Sequence, residues 1–138
     1  MKKIFFLFVL STVLSCKQKI EDADISNLNG YWEIGKVELP DGDKKEYKVN
    51  ETIDFFKIEA NKGFRKKVMP QLDGTYLTND IQEDVNIVVK DGDATIQYKT
   101  NYASWNEEII ELTKDKLVVK NKQDLEYHYK RPVKFSVK

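Results

Sequence analysis

The chain has 138 residues and a balanced charge, with 23 lysine and arginine residues against 23 aspartate and glutamate residues. This balance argues against a nucleic-acid-binding protein, because such proteins carry a basic face that neutralises phosphates. The single cysteine excludes a disulfide within one chain and, together with the single histidine, the usual protein zinc sites. The length suffices for one small domain with one hydrophobic core.

The first fifteen residues, 1–15, have the pattern of a signal peptide. Lys2 and Lys3 supply the positive charge, and residues 4–14 form a mainly apolar run. This run is shorter than the ~20 apolar residues that a membrane-spanning helix needs. We therefore predict an export leader that is removed, which leaves 21 basic residues against 23 acidic residues and a net charge near −2.

Cys16 stands where an ordinary leader would end in an Ala-x-Ala site, and the first alanine of the chain comes later, at Ala23. The segment Val13-Leu14-Ser15-Cys16 resembles the lipobox of bacterial lipoproteins. That resemblance implies a diacylglycerol on the thiol of Cys16 and palmitate-type acyl chains as the membrane anchor. The alternative is a cysteine of no chemical importance. We expect a protein of the bacterial cell envelope, periplasmic or surface-facing, whose first partner is membrane lipid.

The next segment, Lys17 to Asn29, is polar and charged with isolated apolar residues. We predict that residues 16–29 comprise the lipidated cysteine and a tether, which can reach about 40 Å when extended. The alternative is a short helix across Ile20 to Leu28 that caps the following domain. In both cases the folded domain covers residues 30–138.

Short alternating segments separated by turn residues make residues 30–138 an all-β pattern. The clearest case is the hairpin in which residues 85–90 and 94–99 flank Asp91-Gly92. Eight or nine strands joined by tight turns close into a barrel or fold into two packed sheets. Because closure removes exposed edges, we predict a small up-and-down antiparallel β-barrel. The predicted strands are 31–39, 52–59, 64–69, 75–78, 85–90, 94–99, 109–113, 117–120 and 125–129.

Three short motifs resemble those of lipocalins. Gly30-Tyr31-Trp32 is similar to the Gly-x-Trp motif that opens their first strand, and Arg131 matches the arginine that packs over that tryptophan. Thr100-Asn101-Tyr102 looks like their second motif, Thr-Asp-Tyr. The resemblance implies a calycin-type barrel and an apolar ligand, as in small lipocalin-like domains of bacterial lipoproteins. The alternative for Gly-x-Trp is an ordinary strand opening with a core tryptophan.

Alternation along the strands predicts which side chains face the barrel interior. Among them, Phe64, Ile96, Tyr98, Tyr127 and Tyr129 are the candidate ligand-binding residues, because tyrosine rings line pockets while their hydroxyls give oriented polar contacts. The full inward set is Trp32, Ile34, Phe64, Val68, Val85, Ile87, Val89, Ile96, Tyr98, Ile110, Leu112, Leu117, Val119, Leu125, Tyr127 and Tyr129.

An eight-stranded barrel either is packed solid or holds one small ligand, so two functions remain open. The first is a membrane-anchored lipoprotein that binds or carries a small apolar ligand, such as a fatty acid. The second is a solid-core module that docks another envelope protein.

The sequence contains few of the residue patterns that are typical of catalytic sites. His128 alternates to the face opposite Tyr127 and Tyr129, and a Gly-x-Ser-x-Gly motif is absent. Glu107, together with nearby acidic residues and lysines, is predicted to lie on a solvated face. We therefore predict a protein that is not an enzyme and that has no catalytic residues, no cofactor and no metal site.

Lipidation of Cys16 is tested by replacing it with serine. The variant is expected to lose both the label from a metabolically incorporated fatty acid and its membrane fractionation, because no other thiol is available. An unlabelled wild-type protein, released in soluble form after cleavage elsewhere, would contradict the prediction.

Overall fold

A computed structural model describes residues 17–133, so the leader and Cys16 lie outside the described residues. Within this part of the chain, no helix is long and apolar enough to cross a membrane. The elements are the 3-10 helix η1 (Asp22–Leu28) and the strands β1 (Gly30–Glu38), β2 (Lys44–Glu46), β3 (Ile53–Glu59), β4 (Lys62–Pro70), β5 (Tyr76–Leu77), β6 (Glu83–Lys90), β7 (Asp93–Lys99), β8 (Ser104–Leu112), β9 (Lys116–Lys120) and β10 (Glu126–Lys130).

Eight of these strands form a closed antiparallel barrel in the order β1, β3, β4, β6, β7, β8, β9 and β10. The barrel closes because β10 pairs with β1, from Glu33 opposite Lys130 to Glu38 opposite Glu126. The short strands β2 and β5 are additions that pair with β1 and β4. The predicted up-and-down barrel is therefore confirmed, although β2 was not foreseen.

Two tight hairpin turns set the register of the barrel. Both central residues have positive φ in the β3–β4 turn, Ala60 (51°) and Asn61 (62°), and in the β6–β7 turn, Asp91 (53°) and Gly92 (83°). This is the geometry of two-residue turns that match the twist of antiparallel strands. β4 begins at Lys62, two residues earlier than the predicted strand 64–69, because the turn comprises only Ala60 and Asn61.

One end of the barrel is filled by the segment before β1, and we call it the closed end. The opposite end, with the β4–β6 connection and the turns after β7 and β9, is the open end. At the closed end, the side-chain amide of Gln18 donates to the Leu112 carbonyl (3.1 Å) and accepts from the Leu112 N–H (2.9 Å). The N–H of Ile20 donates to the Gly92 carbonyl (2.9 Å).

The prediction that residues 17–29 form a tether is wrong for this structure. The side chains of Ile20, Ile25 and Leu28 are buried in the core of the barrel, and η1 corresponds to the capping helix that was the alternative. Burial of each such side chain contributes about 1.5–3 kcal/mol, which offsets the entropy lost on ordering the segment.

Trp32 and Arg131 meet at the closed end, as the lipocalin resemblance implies. The guanidinium carbon of Arg131 lies 3.7 Å from the centroid of the fully buried Trp32 ring. The indole N–H of Trp32 donates to the Leu28 carbonyl (2.8 Å). Gly30 has φ of +104°, and a Cβ there would lie 3.1 Å from Arg131 Nη1. Both the backbone conformation and the close approach therefore favour glycine at the start of the motif.

Arg131 also ties three chain segments together through their carbonyl groups. Its Nε donates to Lys114 (2.7 Å), its Nη1 to Tyr31 (3.0 Å) and its Nη2 to Asn27 (2.8 Å). Only arginine offers a planar set of donors that reaches three acceptors while stacking on an aromatic ring.

Trp32→Ala should lower the free energy of unfolding by about 3–5 kcal/mol, because the substitution leaves a cavity in the core. Arg131→Ala should cost about 1–3 kcal/mol through its lost charged hydrogen bonds. Trp105→Ala, at the open end, is the matched control and should cost only about 1 kcal/mol. Urea denaturation measures all three, and equal losses for the two tryptophans would contradict this assignment.

Deleting residues 17–29 should destabilise the barrel, because Ile20, Ile25 and Leu28 leave the core. At about 1.5–3 kcal/mol for each side chain, the loss approaches the whole stability of a small domain. Thermal unfolding of a chain that begins at Gly30, compared with one that begins at Lys17, measures the difference. Equal midpoints would restore the tether interpretation.

Candidate functional site

The barrel interior is divided into an apolar half at the closed end and a polar half at the open end. The apolar half contains the buried residues of η1, Ile25 and Leu28, together with Trp32, Ile87, Ile109 and Leu117. The polar half contains Asp54, Arg65, Lys67, Glu83 and Glu107, and we call these five residues the polar layer.

Arg65 is the central cation of the polar layer, and its side chain is only 12% exposed. Its Nε donates to Glu83 Oε2 (2.5 Å), and its guanidinium carbon lies 4.1 Å from the centroid of the Tyr98 ring. Burial acts to lower the pKa of Arg65, but Tyr98, Asp54, Glu83 and Glu107 together raise that pKa above its ordinary value. Arg65 is therefore permanently charged.

Lys67 and Asp54 form the second ion pair of the layer, with Lys67 Nζ 2.6 Å from Asp54 Oδ1. Asp54 is buried, whereas the lysine side chain is more than half exposed. The two residues face each other on β4 and β3. The pair therefore neutralises one buried carboxylate from the solvent side.

Glu107 is the least compensated group of the polar layer. It is 9% exposed, and its Oε1 lies 3.8 Å from Arg65 Nη1 but accepts no hydrogen bond from residues 17–133. Burial raises the pKa of the Glu107 carboxyl, and the opposing effects of the Tyr98 hydroxyl and of Arg65 do not cancel this rise.

The prediction that Glu107 lies on a solvated face is wrong, and so is the inward orientation of Ile110. A β-bulge between Ile109 and Glu111 of β8 changes the phase of alternation. Ile109 and Glu107 consequently face the interior before the bulge, and Leu112 faces it after the bulge. A regular two-residue period cannot place all three residues inside.

A cleft of about 580 Å³ leads from solvent to Glu107 at the open end. It exists because residues 104–107 of β8 extend beyond Glu108, the first residue that pairs with β9. Trp105 is 37% exposed in this cleft, and its ring stacks on Tyr98 with a centroid distance of 5.4 Å. The lining residues are Ser104, Trp105, Asn106, Glu107, Asn121, Lys122, Gln123 and Tyr127.

The five candidate ligand-binding residues occupy three different environments. Ile96 and Tyr98 are buried in the core, where the Tyr98 ring contacts both Arg65 and Trp105. Burial raises the pKa of the Tyr98 hydroxyl well above its ordinary value.

The remaining two tyrosines lie on β10. Tyr127 lines the cleft, and its hydroxyl accepts a hydrogen bond from Asn121 Nδ2 (3.3 Å). Tyr129 packs against the core cluster, and burial raises the pKa of its hydroxyl. Tyr127 is thus the candidate residue that borders the open cleft.

Phe64 does not face the interior, contrary to the prediction. The early β3–β4 turn places Gly63 opposite Ile58 and Arg65 opposite Phe56, so that Phe64 and Val68 lie on the outer face. A Cβ at Gly63 would come within 1.8 Å of the Lys57 carbonyl oxygen, so this close pairing requires glycine at position 63.

The outer face carries an aromatic ladder near β5. Phe64 lies 6.2 Å from Phe55, Phe55 lies 4.8 Å from Tyr31, and Tyr31 stacks on Tyr76 at 4.1 Å, all measured between ring centroids. This ladder covers the barrel wall beside β1 and β3 and has no contact with the cleft at β8.

His128 lies on the outer face with Glu38 and Glu126, and one ligand atom from each lies within 4.8 Å of the others. Burial lowers the pKa of His128, and its Nε2 lies 3.7 Å from Glu38 Oε2. Within residues 17–133, this is the cluster with the geometry to hold a metal. The ammonium of Lys36, 2.9 Å from Glu38 Oε1, already compensates that carboxylate.

The residues of the polar layer could have been recognised from the sequence only if the register of the strands had been known. Arg65 and Glu83 face each other across β4 and β6, a pairing that only the position of the β3–β4 turn reveals. The inward orientation of Trp105 and Glu107 could be predicted only if the bulge in β8 had been located.

Comparison with known proteins agrees with this architecture. The chain is similar in structure to a lipocalin-like protein from Bacteroides uniformis ATCC 8492, with a TM-score of 0.50 and 15% identity over 77% of this chain and 99% of that one. It is similar to an uncharacterized protein from Bacteroides eggerthii DSM 20697 with the same TM-score and identity, over 76% and 99% of the two chains. These likenesses show the fold alone.

No curated protein matches the chain. The family model for lipocalin-like domains matches residues 28–119, which include η1's last residue and the strands from β1 into β9. That match covers well over half of the sequence and agrees with the Trp32–Arg131 contact at the closed end. The chain belongs to the family of lipocalin-like domains.

Proposed function

We propose that this protein is a lipid-anchored binding protein of the bacterial cell envelope, which takes up a small apolar ligand in the cleft at its open end. The observation that carries the proposal is a cleft of about 580 Å³ that exposes the ring of Trp105 beside Tyr127. Pockets of this size suit small ligands. Here two aromatic rings stand among six polar or charged lining residues, so the rings would contact the apolar part of a ligand.

The cleft is favoured over the centre of the barrel as the binding site. Tyr98 is 2% exposed and is held between Arg65 and Trp105, and Ile96 is fully buried beneath the same layer. Side chains in such positions fill a core. A ligand that entered the centre would have to displace them and break the Arg65–Glu83 ion pair.

The contacts of the first described residues support a defined orientation on the membrane. The ammonium of Lys17 pairs with Asp93 (2.5 Å) and with Glu108, which fixes the chain at the closed end immediately after Cys16. Acyl chains on Cys16 would then hold the closed end next to the lipid. The cleft would face away from that membrane, towards the aqueous compartment.

The second candidate function is docking of another envelope protein. It is favoured by exposed apolar side chains on the loops and the short strand β5 of the open end, namely Val49, Leu72, Leu77 and Ile81. Single exposed apolar residues are common on soluble surfaces, so this observation carries less weight than the cleft.

Binding is tested by titrating octan-1-ol into a chain that begins at Lys17 while recording tryptophan fluorescence. Trp105 should respond, because it lines the cleft, whereas Trp32 is fully buried under Arg131. Tyr127→Ala is expected to weaken binding by about tenfold, or about 1.4 kcal/mol. Because Tyr127 is only partly buried against the core, this substitution should cost less stability than removal of a fully buried tyrosine.

Tyr98→Ala is the matched comparison, since it removes the same side chain from the core. It should lower the free energy of unfolding by about 3–5 kcal/mol. Lack of saturable binding, or a loss of affinity confined to core variants, would shift the preference to the docking function.

A further inference from the structure

The charges of the polar layer do not balance. Arg65 pairs with Glu83, and Lys67 pairs with Asp54, which leaves Glu107 as an additional carboxylate. Its nearest cationic atom in the layer, Arg65 Nη1, is 3.8 Å away and belongs to a guanidinium already bound by Glu83. A buried carboxylate with incomplete pairing is costly, so the site favours an incoming cation.

Glu107 lies at the wall of the cleft, where its Oε1 is covered from solvent. Glu107 is 9% exposed, its Oε1 accepts no hydrogen bond within the described residues, and it lines the cleft. Lys122 also lines the cleft but is exposed. The protein therefore leaves a carboxyl group at the wall of an open cleft, and its nearby buried cation, Arg65, is shared with Glu83.

The two aromatic residues of the cleft also suit a cationic ligand. The rings of Trp105 and Tyr127 both border the space in front of Glu107. Aromatic faces attract cations and also bury apolar surface, so they accommodate both an ammonium group and an attached hydrocarbon chain.

We propose that the cleft binds a protonated primary amine carried on an apolar chain, with the ammonium at Glu107 and the chain against Trp105 and Tyr127. This inference rests on the proposed function of the cleft and names the ligand class. Arg65 does not make the site selective for a fatty acid carboxylate, because Glu83 already occupies its Nε and Nη2 and because its Nη1 faces Glu107, which would repel the anion when ionised.

Proton release on binding distinguishes an ammonium ligand at Glu107 from a neutral ligand. Burial raises the pKa of the Glu107 carboxyl, and a bound ammonium would lower that pKa again. Binding of the amine should therefore release protons and should strengthen as the pH rises through the pKa of Glu107. The other charged and titratable groups that face this region are Asp54 on β3, Arg65 and Lys67 on β4, Glu83 on β6, Tyr98 on β7, Lys122 on the β9–β10 turn, and Tyr127 and Tyr129 on β10.

The experiment compares octylamine, octanoate and octan-1-ol, which share one chain length and differ in head group. Isothermal titration of a chain that begins at Lys17, in two buffers of different ionisation enthalpy, gives affinity and proton release. Octylamine is expected to bind at least about tenfold more tightly than octanoate, a difference of about 1.4 kcal/mol. Octan-1-ol should bind with intermediate affinity.

Glu107→Gln should lower octylamine affinity about tenfold, abolish proton release and leave octan-1-ol binding unchanged. This variant should fold, because it removes a buried charge and retains the shape of the side chain. Glu51→Gln, an exposed site outside the cleft, is the matched control for the loss of one negative charge. Lys122→Gln is expected to strengthen octylamine binding.

Binding of octan-1-ol without a preference for octylamine would overturn the amine inference alone. The same holds if the octylamine preference survives in Glu107→Gln. If none of the three compounds binds, the proposed function fails and the amine inference fails with it.

Discussion

The stacking of Arg131 on Trp32 is the side-chain contact that reinforces the seam where β10 pairs with β1. Arg131 follows β10 directly, and its guanidinium reaches carbonyl groups on η1, on β1 and on the β8–β9 turn. Pairing of β10 with β1 removes the two open edges of the meander, which would otherwise invite pairing with other chains. Arg131 therefore strengthens the junction between the first and last strands and holds η1 in place.

The sequence predicted the strands well because period-two alternation and turn residues are local signals. It could not fix the faces of β4 and β8, because a shift of one residue exchanges the two faces of a strand. The early β3–β4 turn turned Phe64 outwards and Arg65 inwards, and the bulge in β8 did the same for Ile110 and Glu107. Most of the candidate residues predicted from the sequence therefore lie in the core or on the outer face and not in the cleft. The inward direction of Tyr127 and the barrel itself were predicted correctly.

The segment before β1 illustrates a different limit of sequence reasoning. Its composition is polar, and its three buried residues, Ile20, Ile25 and Leu28, show no helical or strand period. These residues are buried because they cover the apolar interior at one end of the barrel. That interior exists only in the tertiary structure. The polar layer also depends on the tertiary structure, because Arg65, Glu83 and Glu107 lie on three different strands and meet only when the barrel forms.

The docked N-terminal segment also determines where the chain enters the domain. Lys17 is held beside Asp93 and Glu108 on the side of the closed end. After Arg131, by contrast, Pro132 and Val133 line a groove together with Val49 and Gly74 of the β2–β3 and β4–β5 connections. A fusion partner joined directly to Lys17 would therefore extend from the closed end, and crowding there would leave diffusion into the cleft unhindered.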